Sequence, residues 1–394
     1  MNDKHNLKPL IWIVHNAEPF PSSGDRKWRC GMLSHALEQQ GCNVKRFKSN
    51  WNHFEKNRIK NVALNSRKIN YYKTLGYNHN RSIRRLAHQF LEPISCLNEM
   101  KKLQKPHFVV ISIPTLELAG VLAKWCVKNK IPYAIDIRDK WPDHLEKMVS
   151  KFTKLLLYFL FNYYNKQLKY ALNHACIITT ISNSYKQWAE EKSLNKNAFV
   201  FPICYDYGEN IPTITNKIKN KKLTLVYCGS LSDAFDLESV YNVLKKFSQF
   251  TIYIIGDGPL LKTLKAIKMT NVIYTGWLNN RQLVKYLQTC HFGLTPYVTK
   301  TEISLPNKPF EYLYQGLPLI NSLKGDLWDL VEHYKIGFNY SNECELIEIF
   351  EKIQNYSLRL KLYNNVQKCV KNSRFDYKVQ YHKMSSIFLS KLST

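Results

Sequence analysis

At 394 residues the chain is too long for one ordinary domain and suits two domains of about 200 residues, each able to bury its own core. With 45% hydrophobic and 13% aromatic residues it is neither disordered nor low in complexity. The 57 Lys and Arg against 30 Asp and Glu leave a formal net charge of +27, which predicts attraction to polyanions or anionic lipid headgroups, and the ten cysteines, without a Cys-x-x-Cys pair, read as reduced core residues.

The N-terminus carries Lys4 and Lys8, but its apolar run Leu10 to Val14 is far short of a signal peptide's core or a membrane span. The run Leu155 to Phe161 is also too short to cross a bilayer, so the expected compartment is cytoplasmic. Apolar β-type runs then alternate with helical patterns: strand Leu10–His15, helix Asp25–Gln40, strand Asn43–Phe47, strand His107–Ile113, helix Thr115–Lys128, strand Tyr133–Ile137, strand Ala175–Thr180, helix Asn183–Glu191. Runs apolar on both faces, such as Phe108 to Ile111, predict buried parallel strands, and alternation with helices predicts a doubly wound α/β fold.

The polar stretch Tyr205 to Lys222 breaks the pattern and reads as a linker. Strands are then predicted at Leu223–Cys228, Thr251–Ile255, Asn271–Tyr274, Phe292–Thr295 and Leu317–Asn321. Helices fall at Leu237–Phe247, Pro259–Ile267, Asn280–Thr289 and Lys308–Gln315. The expected organisation is a first Rossmann-like domain over 1–205, a linker over 206–222, a second Rossmann-like domain over 223–374, and a helix over 375–394 that packs back on the first domain. Two such domains place a ligand crevice at the carboxyl ends of both sheets, facing each other.

The sharpest chemistry lies in the second half. Gly256, Asp257 and Gly258 end a predicted strand and lead through Pro259 into a helix, where glycines permit a tight turn against a ligand or a neighbouring loop. Gly276, Trp277 and Leu278 follow the next strand. Further on, Pro306, Asn307 and Lys308 open a predicted helix, whose free amides and dipole favour an anion, and the lysine completes a diphosphate site. Glu311, one turn on, points the same way and can accept hydrogen bonds from ribose hydroxyls, the alternative being a solvated ion pair with Lys308.

In the first half, Gly24, Arg26 and Lys27 join the first strand to the first helix and could meet acceptor or donor phosphate. Arg138 and Asp139, in Asp136-Ile137-Arg138-Asp139-Lys140-Trp141-Pro142, end a strand in the same crevice, where catalytic or positioning groups collect. His53 lies in a loop running from Phe47 to Phe54 after the second strand.

This ordered series resembles the family 4-like glycosyltransferases of the two-Rossmann (GT-B) fold, strongly from Leu223 to Asn321 and moderately before, and within them the subgroup making bacterial surface polysaccharides. The resemblance implies a retaining hexosyltransferase that takes a nucleotide diphosphate-sugar, a UDP-sugar by expectation, and delivers it to a lipid-linked or saccharide acceptor in capsule, O-antigen or exopolysaccharide synthesis. It implies donor contacts from Gly229, Ser230, Gly256, Asp257, Gly258, Gly276, Trp277, Leu278, Pro306, Asn307, Lys308 and Glu311. Acceptor contacts come from Gly24, Arg26, Lys27 and His53, and catalytic roles fall to Arg138, Asp139 and Lys308. Relatives place an arginine and a lysine after the strand that here ends at Cys228. Ser230 to Phe235 holds neither, so phosphate neutralisation falls to Lys308, to amides near Gly229 and Ser230, and to Arg26. Glu302 and Glu311 are separated by eight residues where relatives have seven, which puts Glu302 out of register as a sugar contact.

No Asp-x-Asp metal motif follows a strand, so no metal or other cofactor is expected, and the helix dipole with Lys308 stands in for it. Between Lys56 and Phe90 there are nine Lys or Arg and no Asp or Glu, interleaved with Tyr71, Tyr72, Tyr77 and Phe90, which predicts contact with an anionic membrane surface. A second membrane candidate is Lys151–Leu172, whose alternative is core packing. Two competing readings are a nucleotide-sugar epimerase of the same plan, which needs no acceptor, and a polyanion-binding non-enzyme. No recognition-helix or zinc signature supports nucleic-acid binding, and none is expected.

Overall fold

The computed structural model describes residues 8–15, 18, 27–53, 55–59, 65–66, 69–80, 82–206, 222–298 and 303–392. The chain divides into two compact units, one holding the first strand, Lys27–Pro202 and the segment from Tyr377 onward, the other Ile203–Asp376. Most of the expected linker, 207–221, lies outside the described residues.

The first unit runs β1 (Leu10–Val14), α1 (Arg29–Gln39), β2 (Asn43–Ser49), β3 (Trp51–Asn52), β4 (Asn57–Arg58), β5 (Asn65–Ser66), β6 (Ile69–Tyr72), α2 (Ile83–Met100), β7 (Phe108–Ile113), α3 (Leu116–Lys128) and β8 (Tyr133–Ile137), then α4 (Asp143–Met148), α5 (Lys151–Leu156), α6 (Tyr158–His174), β9 (Ile177–Thr180), α7 (Asn183–Lys192) and β10 (Ala198–Val200). Its sheet has the order β10-β9-β8-β7-β1-β2-β6-β5, parallel except at the β5–β6 edge. All six residues of β7 are buried, as a central parallel strand covered on both faces requires.

The second unit runs β11 (Thr224–Cys228), α8 (Leu237–Leu244), β12 (Thr251–Ile255), α9 (Leu261–Ala266), β13 (Val272–Gly276), α10 (Asn280–Thr289), β14 (Phe292–Thr295), α11 (Asn307–Tyr314), β15 (Leu319–Asn321), α12 (Asp326–Tyr334), β16 (Gly337–Asn339), α13 (Glu343–Lys352) and α14 (Tyr356–Val370). Its sheet is wholly parallel in the order β13-β12-β11-β14-β15-β16. In both sheets the strand order reverses beside the first strand, between β1 and β7 and between β11 and β14. Ligand crevices open at the carboxyl ends of strands where the order reverses in this way. Helix starts follow local chemistry: Asn279 and Gln282 form a reciprocal capping box on α10, and Asp236 caps α8 through the Ser239 amide.

Two stretches depart from the sequence-based expectation. The basic segment from Lys56 to Phe90 is no uniform surface ribbon: β6 lies in it, Tyr72 is fully buried, Tyr77 nearly so, and α2 begins at Ile83. Of the tyrosines read there as membrane-facing, Tyr72 and Tyr77 are thus core residues and Tyr71 is half-buried. The span Phe47 to Phe54 is not a simple loop either, since β2 extends to Ser49 and β3 follows at once.

The last helix, α15 (Tyr377–Leu389), lies within the first unit against α1. Phe388 is fully buried, its ring 5.4 Å from that of Phe108 on β7. Deleting a buried aromatic side chain removes its transfer free energy and leaves a cavity. Phe388→Ala is expected to cost the first unit about 3–5 kcal/mol, read from urea unfolding followed by a fluorophore in that unit.

Candidate active site

In the second unit the carboxyl ends of β11, β12 and β13 are laced together by their own turns. The Gly229 amide donates to Ile255 O at 2.8 Å, the Leu231 amide to Asp257 O at 2.9 Å, and the Gly256 amide to Gly276 O at 2.8 Å. Glycine is demanded at two of these points: a β-carbon on Gly256 would overlap the Gly229 carbonyl, and one on Gly258 the Leu231 carbonyl. Gly256 and Gly258 thus set loop against loop. Asp257 turns its carboxylate onto the Gly258 amide at 2.7 Å. Gly276 has φ +72°, and Trp277 beyond it is 76% exposed, an open aromatic face at the end of β13 rather than a core residue. Leu278 beside it is partly buried.

Lys308 enters this framework from α11. Its side chain lies across bare Gly229, where any β-carbon would collide with the amine. The Nζ sits 3.9 Å from the Phe235 ring centroid and 5.0 Å from that of Tyr227, and donates to the Tyr227 hydroxyl at 3.4 Å. Tyr227 in turn donates to the Ser230 carbonyl at 2.6 Å, and the Cys228 amide donates to the Tyr312 hydroxyl at 2.7 Å, which clamps β11 to α11. Burial lowers the Lys308 pKa to about 8, while the nearby Cys228 and Glu311 pull it the other way. Among the described residues no side chain caps α11 at Pro306, so the Asn307 and Lys308 amides carry the positive end of the helix dipole. Glu311, one turn further, is partly exposed.

The first unit gathers charge at its own switch point. Asp136 on β8 is buried and accepts Arg29 Nη2 at 2.8 Å and Nε at 2.9 Å, with further bonds from the Thr179 hydroxyl at 2.7 Å and the Ser112 hydroxyl at 3.3 Å. Arg29 also reaches the Phe201 carbonyl at 2.9 Å, so one ion pair joins α1, β8, β9 and the segment after β10. Burial would raise the Asp136 pKa, but the Arg29 guanidinium outweighs it and holds the carboxyl below its ordinary value. Beside this pair, buried Glu18 accepts from the Cys30 amide at 2.6 Å, from Arg46 at 3.2 Å and from Arg138 at 3.2 Å, and Lys48 Nζ donates to the Glu18 carbonyl at 3.1 Å. Arg138 Nη1 also lies against His15 Nε2, while His15 Nδ1 accepts from the Glu18 amide at 3.0 Å. Burial, then Arg138, depress the His15 pKa to about 3, so its imidazole is neutral at physiological pH. His15, Glu18 and Cys30 bring potential metal-ligating atoms within 4.8 Å of one another, but Glu18 is already shared by two arginines, and Arg46, Lys48 and Arg138 oppose a cation there.

The expected site residues distribute as follows. Arg138 joins the charged cluster, whereas Asp139 is engaged locally, accepting the Lys140 amide at 2.8 Å and facing His144 Nδ1 at 3.1 Å. Lys27 is exposed just before α1, and His53 lies against the Tyr77 hydroxyl near β3. Gly24, Arg26 and Glu302 lie outside the described residues. Sequence reasoning missed the Tyr227, Phe235 and Tyr312 supports of Lys308, and missed His15, Glu18, Arg29, Arg46 and Lys48. One signal for the latter group was present: Asp136 stands inside an apolar strand, and a carboxylate there demands a buried cation.

The two parallel sheets, each reversing its strand order beside its first strand, define an α/β protein of the two-Rossmann class. Residues 222–355 match the family model described as glycosyl transferases group 1, and the fold is that of the GT-B glycosyltransferases. The structure of Anabaena Alr3699/HepE in complex with UDP-glucose is similar at a TM-score of 0.66, with 14% identity over 97% of this chain and 100% of that one. WaaG, a glycosyltransferase involved in lipopolysaccharide biosynthesis, gives a TM-score of 0.67, with 13% identity over 96% of this chain and 99% of that one. A Klebsiella pneumoniae protein described as an uncharacterized 41.2 kDa protein in the cps region is 23% identical over 184 residues, 43% of this chain and 50% of that protein. The chain thus matches about half the length of that curated relative.

Two predictions follow from the charges. Lys308 is protonated below pH about 8, and an anion that binds its charged form raises its pKa, so affinity is greatest below that pH and falls above it. Affinity for inorganic pyrophosphate, used as a diphosphate probe in calorimetric titration, is expected to weaken by up to roughly tenfold per pH unit above that point, and Lys308→Met to flatten the profile. Asp136→Asn strands Arg29 as an uncompensated buried charge, at an expected cost of about 3–5 kcal/mol in denaturant unfolding.

Proposed function

We propose that the chain is a retaining glycosyltransferase that moves a hexose from a UDP-sugar to a lipid-linked or saccharide acceptor during bacterial surface-polysaccharide assembly, at the inner face of the membrane. The observation that carries the donor half is the Lys308 amine lying across Gly229 at an uncapped helix start, with Glu311 one turn on. Lys308 and the amides of Asn307, Gly229 and Ser230 take the diphosphate, with Pro306 setting the helix entry. Glu311 takes the ribose, and Gly276, exposed Trp277 and Leu278 flank the base. Gly256, Asp257 and Gly258 hold the turn that supports Gly229.

As the bond from the anomeric carbon to the diphosphate oxygen breaks, negative charge grows on the leaving group, and Lys308 with the dipole of α11 stabilises it. The acceptor hydroxyl bonds to the same carbon on the same face, and its proton passes to the departing phosphate oxygen. This route assigns no step to a metal. On the acceptor side Arg138 supplies a guanidinium whose Nη1 meets His15 and Glu18, Asp139 orders the turn after it, and Gly24, Arg26, Lys27 and His53 are assigned to acceptor contacts. The UDP-glucose bound by HepE, the lipopolysaccharide role of WaaG and the cps-region setting of the Klebsiella protein support this reading.

Labelled UDP-hexoses incubated with the protein and bacterial membranes are expected to transfer label to an extractable product with the donor's anomeric configuration. Lys308→Ala with Glu311→Ala should lower kcat/KM by about a hundredfold or more. Arg138→Ala should lower transfer while leaving the Kd for UDP within about twofold, since the two groups lie in different units. Epimerised or hydrolysed donor without transfer, or transfer indifferent to the loss of Lys308 and Glu311, would end this reading.

A further inference from the structure

The apolar run Leu155 to Phe161 and its surroundings fold into a corner that the core does not cover. Phe152, Leu155 and Leu156 on α5 are 71%, 72% and 66% exposed, and Tyr158 and Phe159 at the start of α6 are 59% and 83% exposed. Further along α6, Phe161, Tyr164, Leu168 and Leu172 turn inward and are buried, chiefly beside α3. A continuous apolar run on a helix covers every face, so a helix lying on a domain surface must leave part of such a run outside. Neighbouring α2 repeats the pattern: Ile83, Phe90, Leu91 and Ile94 fall on one outward stripe and are all exposed. Phe90 meets Tyr163 of α6 with ring centroids 5.5 Å apart, which joins the two surfaces.

The exposed charges beside this face are predominantly positive. Lys147, Lys151, Lys154, Lys166 and Lys169 are exposed beside the corner, as is Arg84 on α2, and the nearby Glu146 is neutralised by Lys154 at 2.8 Å. Among the described residues no helix is long and apolar enough to cross a membrane. Apolar side chains ringed by lysines suit a surface that is apolar within and anionic at its boundary. A second copy of the chain, itself at +27, meets the same lysines with repulsion.

We propose that the α5–α6 corner and the outward stripe of α2 form a monotopic docking surface that seats the first unit in the headgroup layer of an anionic bilayer. Phe152, Leu155, Leu156 and Phe159 enter the acyl boundary while the lysines meet lipid phosphates. The docking surface deepens the membrane part of the proposed function and rests on it only for the biological setting. It moves the membrane contact away from the basic segment's Tyr72 and Tyr77, which are buried.

The test is flotation of the full chain with vesicles of phosphatidylcholine and phosphatidylglycerol, roughly two to one, against phosphatidylcholine alone. Preferential flotation with the anionic vesicles is expected, and Phe152→Ser, Leu155→Ser and Phe159→Ser together should weaken it by about tenfold or more. Lys151→Gln with Lys154→Gln should instead reduce its salt dependence. A separate Phe159→Trp variant, which needs no loss of apolar surface, should shift its emission to the blue on adding anionic vesicles. Flotation of the triple variant equal to that of the parent, or an unmoved tryptophan spectrum, overturns the proposal. So does a parent dimer in sedimentation that the triple variant converts to monomer, since the face would then join two copies. UDP affinity measured without vesicles separates the outcomes: docking without UDP binding defeats the transferase reading alone, and UDP binding without docking defeats the surface alone.

Discussion

An ammonium is costly to remove from water, so a lysine that gives up much of its hydration needs a substitute for it. In the second unit the substitute is built from ring faces and a hydroxyl: Phe235 and Tyr227 receive the Lys308 amine, and the missing side chain of Gly229 makes room for it. The result is a positive charge held at a helix start that is positive already, with burial weakening its hold on the proton. An anion arriving there would satisfy lysine and amides together. The rest of the unit keeps this geometry in place, since Tyr312 ties α11 to β11 and the turns after β11, β12 and β13 hydrogen-bond to one another.

The first unit treats its cations differently. Arg29 is fully occupied, its bidentate pairing with Asp136 and its bond to Phe201 making it a structural tie. Arg46 and Arg138 share one carboxylate, Glu18, with Lys48 alongside, so among the described residues this cluster holds three cationic groups around one carboxylate. A site of this kind keeps surplus positive potential at low dielectric without leaving any one charge stranded. Neutral His15 contributes shape and hydrogen bonding rather than a further charge.

Membrane attraction and catalysis draw on the same excess of lysine and arginine, but tertiary packing assigns them to different places. Tyr72 and Tyr77 of the basic segment are drawn into the core beside β6, whereas Phe152, Tyr158 and Phe159 remain outside because the inner face of α6 is already filled by Phe161, Tyr164, Leu168 and Leu172. Composition could predict that some surface would favour an anionic partner. It could not say which aromatics would remain in water.

The sequence by itself determined the doubly wound plan of both units, since flat apolar runs such as Phe108 to Ile113 can be satisfied only as buried parallel strands, and it marked the Gly229, Gly276 and Lys308 turns at their carboxyl ends. These are local properties: periodicity, glycine's access to unusual backbone angles, and the dipole of a helix start. Short elements such as β3 and β6 were not legible, because their own patterns are weak and their pairing partners are distant in sequence. Only the tertiary structure decided that Arg29 answers Asp136 across 107 residues, that Phe235 and Tyr227 seat Lys308, and that Phe159 faces solvent. Burial and charge pairing are settled by what lies opposite in space, and a linear pattern does not carry that.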